Sequence, residues 1–280
     1  MKTTVTLSTG AKMPLIGFGT YLINDSRICE QAVSDALEIG YRLIDTAQFY
    51  GNEEAVGRAV RNSGIPRKEL FITTKLWISD MGYEKAKAAL DASLVKLGLD
   101  YADLYLLHHP FGDYYGAWRA VSEAYRQGRV LAIGVSNFYA DRLTDLALHN
   151  DIFPAVDQLE IHPYHQRHEM EDTLREYAVI PQAWGPFSQG KTDLLENPSL
   201  LSIAEKHGKT AAQVCLRWLT QRGISALPKS THKERIKENF DIFDFELSLN
   251  DMDAIALLDK QKPAGLPHTD PENVRRIFYL

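Results

Sequence analysis

Leu104–Tyr105–Leu106–Leu107–His108 is the stretch on which the fold turns. It is a short apolar run that ends in an imidazole and is followed by a helical pattern, which reads as a buried β-strand. Two further runs share the design: Tyr41–Arg42–Leu43–Ile44–Asp45 and Leu70–Phe71–Ile72–Thr73–Thr74–Lys75. Each ends in a polar residue, and Tyr50 lies five residues beyond Asp45. Within the first run, Leu104, Leu106 and His108 share one face, while Tyr105 and Leu107 share the other. Both faces are apolar, as in a barrel strand lying between a packed interior and a layer of helices. In such a barrel the C-terminal strand ends converge on one mouth, where polar residues read as chemistry.

Strand-like runs begin near Leu15, Tyr41, Leu70, Ala102, Leu131, Ala155, Val179 and Ser225. Helical patterning fills the intervals at 28–39, 54–60, 83–97 and 117–126. Eight such units over 280 residues, with no Pro/Ser/Gly-rich boundary, predict an α/β fold: one (β/α)8 barrel domain spanning 1–280. A short hairpin opens the chain, with Val5–Thr6–Leu7 and Met13–Pro14–Leu15 flanking a turn-rich stretch. One extra helix is expected within 194–221 and another over 250–258. The Pro-, charge- and aromatic-rich segment 262–280 reads as a loop over one end of the barrel.

A net charge of −6 disfavours a nucleic-acid or anionic-membrane surface as the main partner. No stretch approaches the ~18 apolar residues of a membrane span, and the opening residues carry no apolar signal-like core. Cys29 and Cys215 fall in helix-like segments and read as core thiols, which fits a reducing cytoplasmic compartment.

Asp45, Tyr50, Lys75 and His108 taken singly have ordinary explanations: a helix cap, a rim aromatic, a surface lysine and a satisfied core histidine. Together at consecutive strand ends they form a proton-handling set. A phenol ordinarily titrates near ~10, too high for efficient exchange at neutrality. A nearby ammonium is expected to lower it, and a buried ammonium needs a counter-ion, which Asp45 supplies. Tyr50 is then the general acid, and His108 orients a carbonyl oxygen. No side chain can donate hydride, so the chemistry calls for a nicotinamide cofactor.

Asp45–Thr46–Ala47–Gln48–Phe49–Tyr50–Gly51–Asn52–Glu53 resembles a signature of the aldo-keto reductases. So do Leu106–Leu107–His108–His109–Pro110, Gly134–Val135–Ser136–Asn137–Phe138, and Leu227–Pro228–Lys229–Ser230–Thr231 with Arg235 and Glu238–Asn239–Phe240. The resemblance spans nearly the whole chain. It is nearest to microbial, 2,5-diketo-D-gluconate reductase-like members acting on small dicarbonyls, keto-sugars and aldehydes. It implies NADPH-dependent carbonyl reduction by a monomer, with Asp45, Tyr50, Lys75 and His108 in the roles just derived.

It also implies a cofactor site. Gly19, Thr20 and Tyr21 match the first cofactor loop, together with Asp45. Ser136, Asn137 and Gln158 stand where the nicotinamide carboxamide is held, and Trp184 where a ring stacks on it. Gly185, Pro186, Phe187 and Ser188 resemble the pyrophosphate loop. Lys229, Ser230, Thr231, Arg235, Glu238 and Asn239 occupy the grip on the 2′-phosphate. The substrate pocket is expected from Tyr21, Tyr50, Trp77, His108, His109 and Phe111. The chain departs from the common pattern at His109, where Trp is frequent, at Gly185, where Ser is frequent, and at Asp157, where Asn is frequent.

Three other readings compete. A metal-dependent barrel hydrolase is suggested by His108–His109 and by His162, His165 and His168. Adjacent strand residues point to opposite faces, however, so His108 and His109 are not expected to share an ion, and no metal is expected. A dinucleotide-binding fingerprint begins at Gly17–Phe18–Gly19 but has Leu22 at its third glycine position. The third reading is an NADPH-binding regulatory subunit with little turnover.

Overall fold

The structure is a computed structural model that describes residues 2–280, so Met1, the start of the expected domain, lies outside the described residues. In chain order, β1 (Thr4–Thr6) and β2 (Lys12–Pro14) form the opening antiparallel hairpin. Then follow β3 (Phe18–Gly19), α1 (Ser26–Ile39), β4 (Leu43–Asp45), α2 (Glu53–Asn62), β5 (Phe71–Leu76) and α3 (Tyr83–Leu97). Next come β6 (Leu104–Leu107), α4 (Tyr114–Arg126), β7 (Ile133–Ser136), α5 (Ala140–Leu148), β8 (Val156–Glu160), α6 (Glu171–Glu176) and β9 (Ile180–Trp184). The chain finishes with α7 (Pro198–His207), α8 (Ala211–Gln221), β10 (Ser225–Leu227), α9 (Lys233–Phe240), α10 (Leu249–Ala256) and α11 (Pro271–Phe278).

Strands β3 to β10 are parallel and ordered as in the sequence. The ring closes between its ends: Ile16 bridges Ala226, Gly17 N–H donates to Ala226 O at 2.9 Å, and Gly19 N–H to Pro228 O at 3.0 Å. The expected (β/α)8 barrel is therefore the observed fold, and each predicted strand lies within a few residues of its place.

The alternation read from β6 holds. Leu104 and Leu106 face the barrel interior with Leu43, Phe71, Val156 and Leu227. Tyr105 and Leu107 face the helices with Ile44, Ile72 and Val135. Val5, Leu7, Met13 and Leu15 of the opening segment belong to the interior cluster, so the hairpin plugs one end of the barrel. The helical layer packs closely. A methyl group on Gly57 of α2 would lie 2.1 Å from the Leu97 carbonyl oxygen, so only glycine allows α2 and α3 this approach. Cys29 and Cys215 are buried and free, and burial pushes the Cys29 thiol up to about 11.

One expectation differs from the structure. Segment 262–280 does lie over the mouth, but its last part is not a loop. Asp270 accepts from Glu272 N–H, Pro271 starts the first turn, and Ile277 is buried, giving α11. The dense charge of this stretch masked its apolar spacing. The extra helix expected within 194–221 is present: the interval holds α7 as well as α8, capped by Asn197 and by a Thr210/Gln213 capping box. Among the described residues, no helix is long and apolar enough to cross a membrane.

Candidate active site

Asp45 and Lys75 end or nearly end β4 and β5, whose register sets Asp45 opposite Thr73. Lys75 is fully buried, and its Nζ donates to Asp45 Oδ1 at 2.6 Å, to Thr46 O at 2.9 Å and to Tyr50 OH at 3.2 Å. Tyr50 reaches this point because residues Gln48–Tyr50 form a 3-10 turn, released by Gly51 at φ 66° into α2. The His108 ring stands 5.6 Å from the Tyr50 ring, one residue past the end of β6. The four residues named from sequence are thus brought together at one mouth.

Burial pushes the Asp45 carboxyl up and the Lys75 ammonium down, and each is opposed by its partner's charge. Short contact and full hydrogen bonding keep this pair ionic: Asp45 Oδ2 also accepts from Gln158 Nε2 at 2.8 Å. The Tyr50 phenol departs from expectation. Burial, then the Asp45 carboxylate, then Tyr21, hold it well above its ordinary value. Lys75, paired with Asp45, does not offset these effects, and the phenol stays protonated. Burial, reinforced by His109 and Lys75, holds His108 well below the ordinary imidazole value, so it is neutral.

Around this centre, Tyr21 stands 4.9 Å from Tyr50. Trp77 meets His108 and His109 edge-on at 5.0 and 5.4 Å. His109 is parallel to His108 at 5.1 Å and to Phe111 at 5.9 Å. The opposite-faces argument for the two histidines fails here, because β6 ends at Leu107 and alternation stops before His109. Phe49, stacked on Trp77 at 3.9 Å, and His268, bonded to His109, were not read from the sequence. Phe49 had a signal, since it lies inside the Asp45–Tyr50 motif; His268 had none.

A second set of polar groups adjoins the first. Asn137 Nδ2 donates to His108 O and to Ser136 Oγ, both at 3.0 Å, and Trp184 Nε1 donates to Asn137 Oδ1 at 2.9 Å. Gln158 Nε2 spends its protons on Asp45 and Gln182. What remains free on Gln158 Oε1 and Asn137 Oδ1 is acceptor capacity, which fits the NH2 of a primary carboxamide. Gly19 N–H bonds to Pro228 O, bringing the Gly19–Thr20–Tyr21 loop beside Lys229, Ser230 and Thr231. Gly185 (φ 59°), Pro186, Phe187 and Ser188 make a tight turn closed by Ser188 N–H to Gly185 O, and Ser188 Oγ is buried with no hydrogen-bond partner among the described residues. Lys229 and Arg235 are exposed, and among the described residues neither has an ionic partner. These two cations flank the start of α9, a fitting place for phosphate. Glu238 is turned elsewhere: its carboxylate accepts from Thr210 Oγ1 at 2.7 Å. Asn239 is buried on α9.

The other sequence-derived histidines lie apart from the four. His162 Nε2 pairs with Glu160 Oε1 at 3.0 Å, His165 is buried, and His168 bonds to Glu171 at the surface. Among the described residues, no three His, Cys, Asp or Glu side chains gather as a metal site. Glu160 accepts the N–H groups of Ala264 and Gly265 at 2.6 and 3.1 Å, tying the C-terminal segment to the mouth against Trp184. Asp157, the departure beside Gln158, falls on the opposite face of β8 from Gln158. It is fully buried, and burial raises its carboxyl well above the usual range against the opposing Phe138 N–H and Arg167 charge.

A closed eight-stranded barrel with these groups at the C-terminal ends of its strands defines an oxidoreductase scaffold, and the Aldo/keto reductase family signature matches residues 15–260. The chain belongs to that family. It is 46% identical to the glyoxal reductase of Bacillus subtilis (strain 168), over 96% of this chain and 97% of that one. Its fold is similar to an aldo-keto reductase from a Medee basin deep-sea metagenome library, with a TM-score of 0.90 and 45% identity over 92% of this chain and 96% of that one. A Bombyx mori aldo-keto reductase in complex with NADP superposes with a TM-score of 0.89 and 34% identity, covering 93% and 94% of the two chains.

Proposed function

We propose that this chain is an NADPH-dependent reductase of small aldehydes and ketones, dicarbonyls and keto-sugars among them, with Tyr50 as the proton donor. One observation carries the reading: a buried ammonium, Lys75, bonded at once to Asp45 and to a phenol that burial keeps protonated. A protonated phenol beside an ammonium is suited to give its proton to an oxygen that is gaining negative charge, while Lys75 stabilises the phenolate left behind. Among the described residues, His108 Nδ1 is buried without a hydrogen-bond partner; with the ring proton on Nε2, that N–H would orient the carbonyl oxygen. The bound nicotinamide would supply the hydride.

Gln158 and Asn137 would accept from its carboxamide, Trp184 would back the ring, the 185–188 turn would hold the pyrophosphate, and Lys229 and Arg235 the 2′-phosphate. Support for this cofactor comes from the free acceptors and unpaired cations, and from the NADP complex of the Bombyx mori relative. We read the whole of 1–280 as one reductase domain, acting as a cytoplasmic monomer. Two free thiols suit a reducing compartment, and light scattering tests the oligomeric state.

The test is loss of NADPH absorbance on a carbonyl panel, with Tyr50→Phe in parallel. Turnover that collapses in the variant supports the reading. Bound NADPH with no turnover on any carbonyl would instead point to a cofactor-binding regulatory protein.

A further inference from the structure

The wall of the pocket beyond His108 is built from a residue pair that the proton-donating set does not use. His109 Nδ1 and His268 Nε2 share a hydrogen bond of 3.0 Å, across 159 positions of sequence. His268 is itself held: its N–H donates to Tyr139 OH at 3.3 Å, and its ring packs on Phe111 at 4.7 Å and Tyr139 at 5.3 Å. Burial lowers both imidazoles, His109 to about 3 and His268 to about 4, so the wall is neutral at physiological pH.

With Nδ1 engaged, His109 keeps Nε2 free, and among the described residues nothing bonds to it. His108 likewise keeps Nε2 free, its Nδ1 being buried. The two rings are parallel within 5° and 5.1 Å apart, so the chain presents two neighbouring imidazole edges at one pocket. Rings so spaced are close enough that each Nε2, over a hydrogen bond of ~2.9 Å, could serve one of two oxygens carried by adjacent carbons. A Trp at 109 would offer a donor only, whereas an imidazole locked by a partner offers a donor or an acceptor according to which nitrogen His268 leaves protonated.

We propose that His109 Nε2 binds an oxygen on the carbon next to the reacting carbonyl, so that this site selects α-dicarbonyls and α-hydroxy aldehydes, with His268 as the positioning residue that fixes the His109 ring. This rests on the reductase reading above and narrows its substrate class. His109 is then a specificity residue for the second oxygen, while His108 and Tyr50 address the first.

Methylglyoxal, lactaldehyde and propanal share a three-carbon frame and carry, respectively, an oxo group, a hydroxyl and hydrogen at the second carbon. The measurement is kcat/KM for each by NADPH consumption in wild type, His109→Phe, His268→Phe and His268→Gln. The wild type is expected to favour one or both oxygenated substrates over propanal. His109→Phe should cut that preference about tenfold, the loss of one hydrogen bond. His268→Phe should cut it in the same sense but less, and His268→Gln, which keeps an amide nitrogen near the place of Nε2, should restore it. Lactaldehyde favoured alone marks an accepting Nε2, and methylglyoxal favoured marks a donating one; both uphold the assignment.

Equal losses on all three substrates, or a preference unmoved in both Phe variants, would overturn it and leave the reductase reading intact. No turnover of any substrate by wild type would instead sink the reductase reading. NADPH titration by tryptophan fluorescence identifies any variant that has failed to fold, and the His268 pair decides the matter if His109→Phe is lost.

Discussion

Replacing Lys75 by Met removes an ammonium that is fully buried and makes three hydrogen bonds. The Asp45 carboxylate is then left 3% exposed, with one neutral donor, Gln158 Nε2, and no counter-charge. Breaking one side of such a pair costs about 3–5 kcal/mol, most of it the burden of the orphaned charge. Asp45→Asn alone strands the ammonium and should cost a similar amount. The double variant removes both charges, so its loss should fall short of the sum by about 2–3 kcal/mol, toward the upper end of the roughly 0.5–3 kcal/mol found for residues in contact. Urea unfolding of the four proteins at pH 7, followed by both tryptophan fluorescence and circular dichroism to check that the transition is two-state, measures the coupling. Single losses that add to within ~0.5 kcal/mol would refute the argument that each charge is what keeps the other ionised in the barrel.

Asp157→Asn should stabilise the fold at neutral pH, on the order of 1 kcal/mol, because it removes a fully buried carboxylate whose charged form is disfavoured chiefly by burial. Its folded-state carboxyl is raised, so the wild type loses stability as pH rises from the ordinary carboxyl range toward the raised value. The variant's advantage should therefore shrink in melts at acid pH, and an advantage that grows there would contradict the sign. Lys229→Ala and Arg235→Ala should each weaken NADPH binding about tenfold, the scale of one charge-assisted bond. NADH should be little affected, and equal weakening of both cofactors in fluorescence titrations would count against a 2′-phosphate site. Gly265→Ala places a methyl 2.6 Å from Trp184 Cη2 and 3.0 Å from Glu160 Oε2. It should cost about 1–3 kcal/mol by overpacking and lower NADPH affinity, and unchanged affinity would show that Trp184 is not positioned by this contact.

The legible part of the molecule was its local chemistry. Leu104 to His108 announced both a strand and its two faces, because side-chain period and burial are written in adjacent residues. Asp45, Tyr50, Lys75 and His108 could be grouped because barrel topology alone brings consecutive strand ends together. Helix α11 was hidden because its apolar face is short and set among charges. His268 and Glu160 were invisible for a different reason. Their partners, His109 and the amides of Ala264 and Gly265, lie more than a hundred positions away, and no periodicity encodes such a meeting. The rise of the Tyr50 phenol was missed because sequence names neighbours without saying which of them has already neutralised another.

Closure of the barrel joins Pro14, Leu15 and Gly17 to Ser225 and Ala226, residues more than two hundred positions apart. On a ribosome, β3 therefore waits with an unpaired edge until more than two hundred further residues have been synthesised. Throughout that wait, Phe18 belongs to an open sheet, the form most prone to pair with another chain. The brevity of β3, two residues long, then has a meaning in the cell: it is a poor template for a stranger's strand during the interval before β10 arrives.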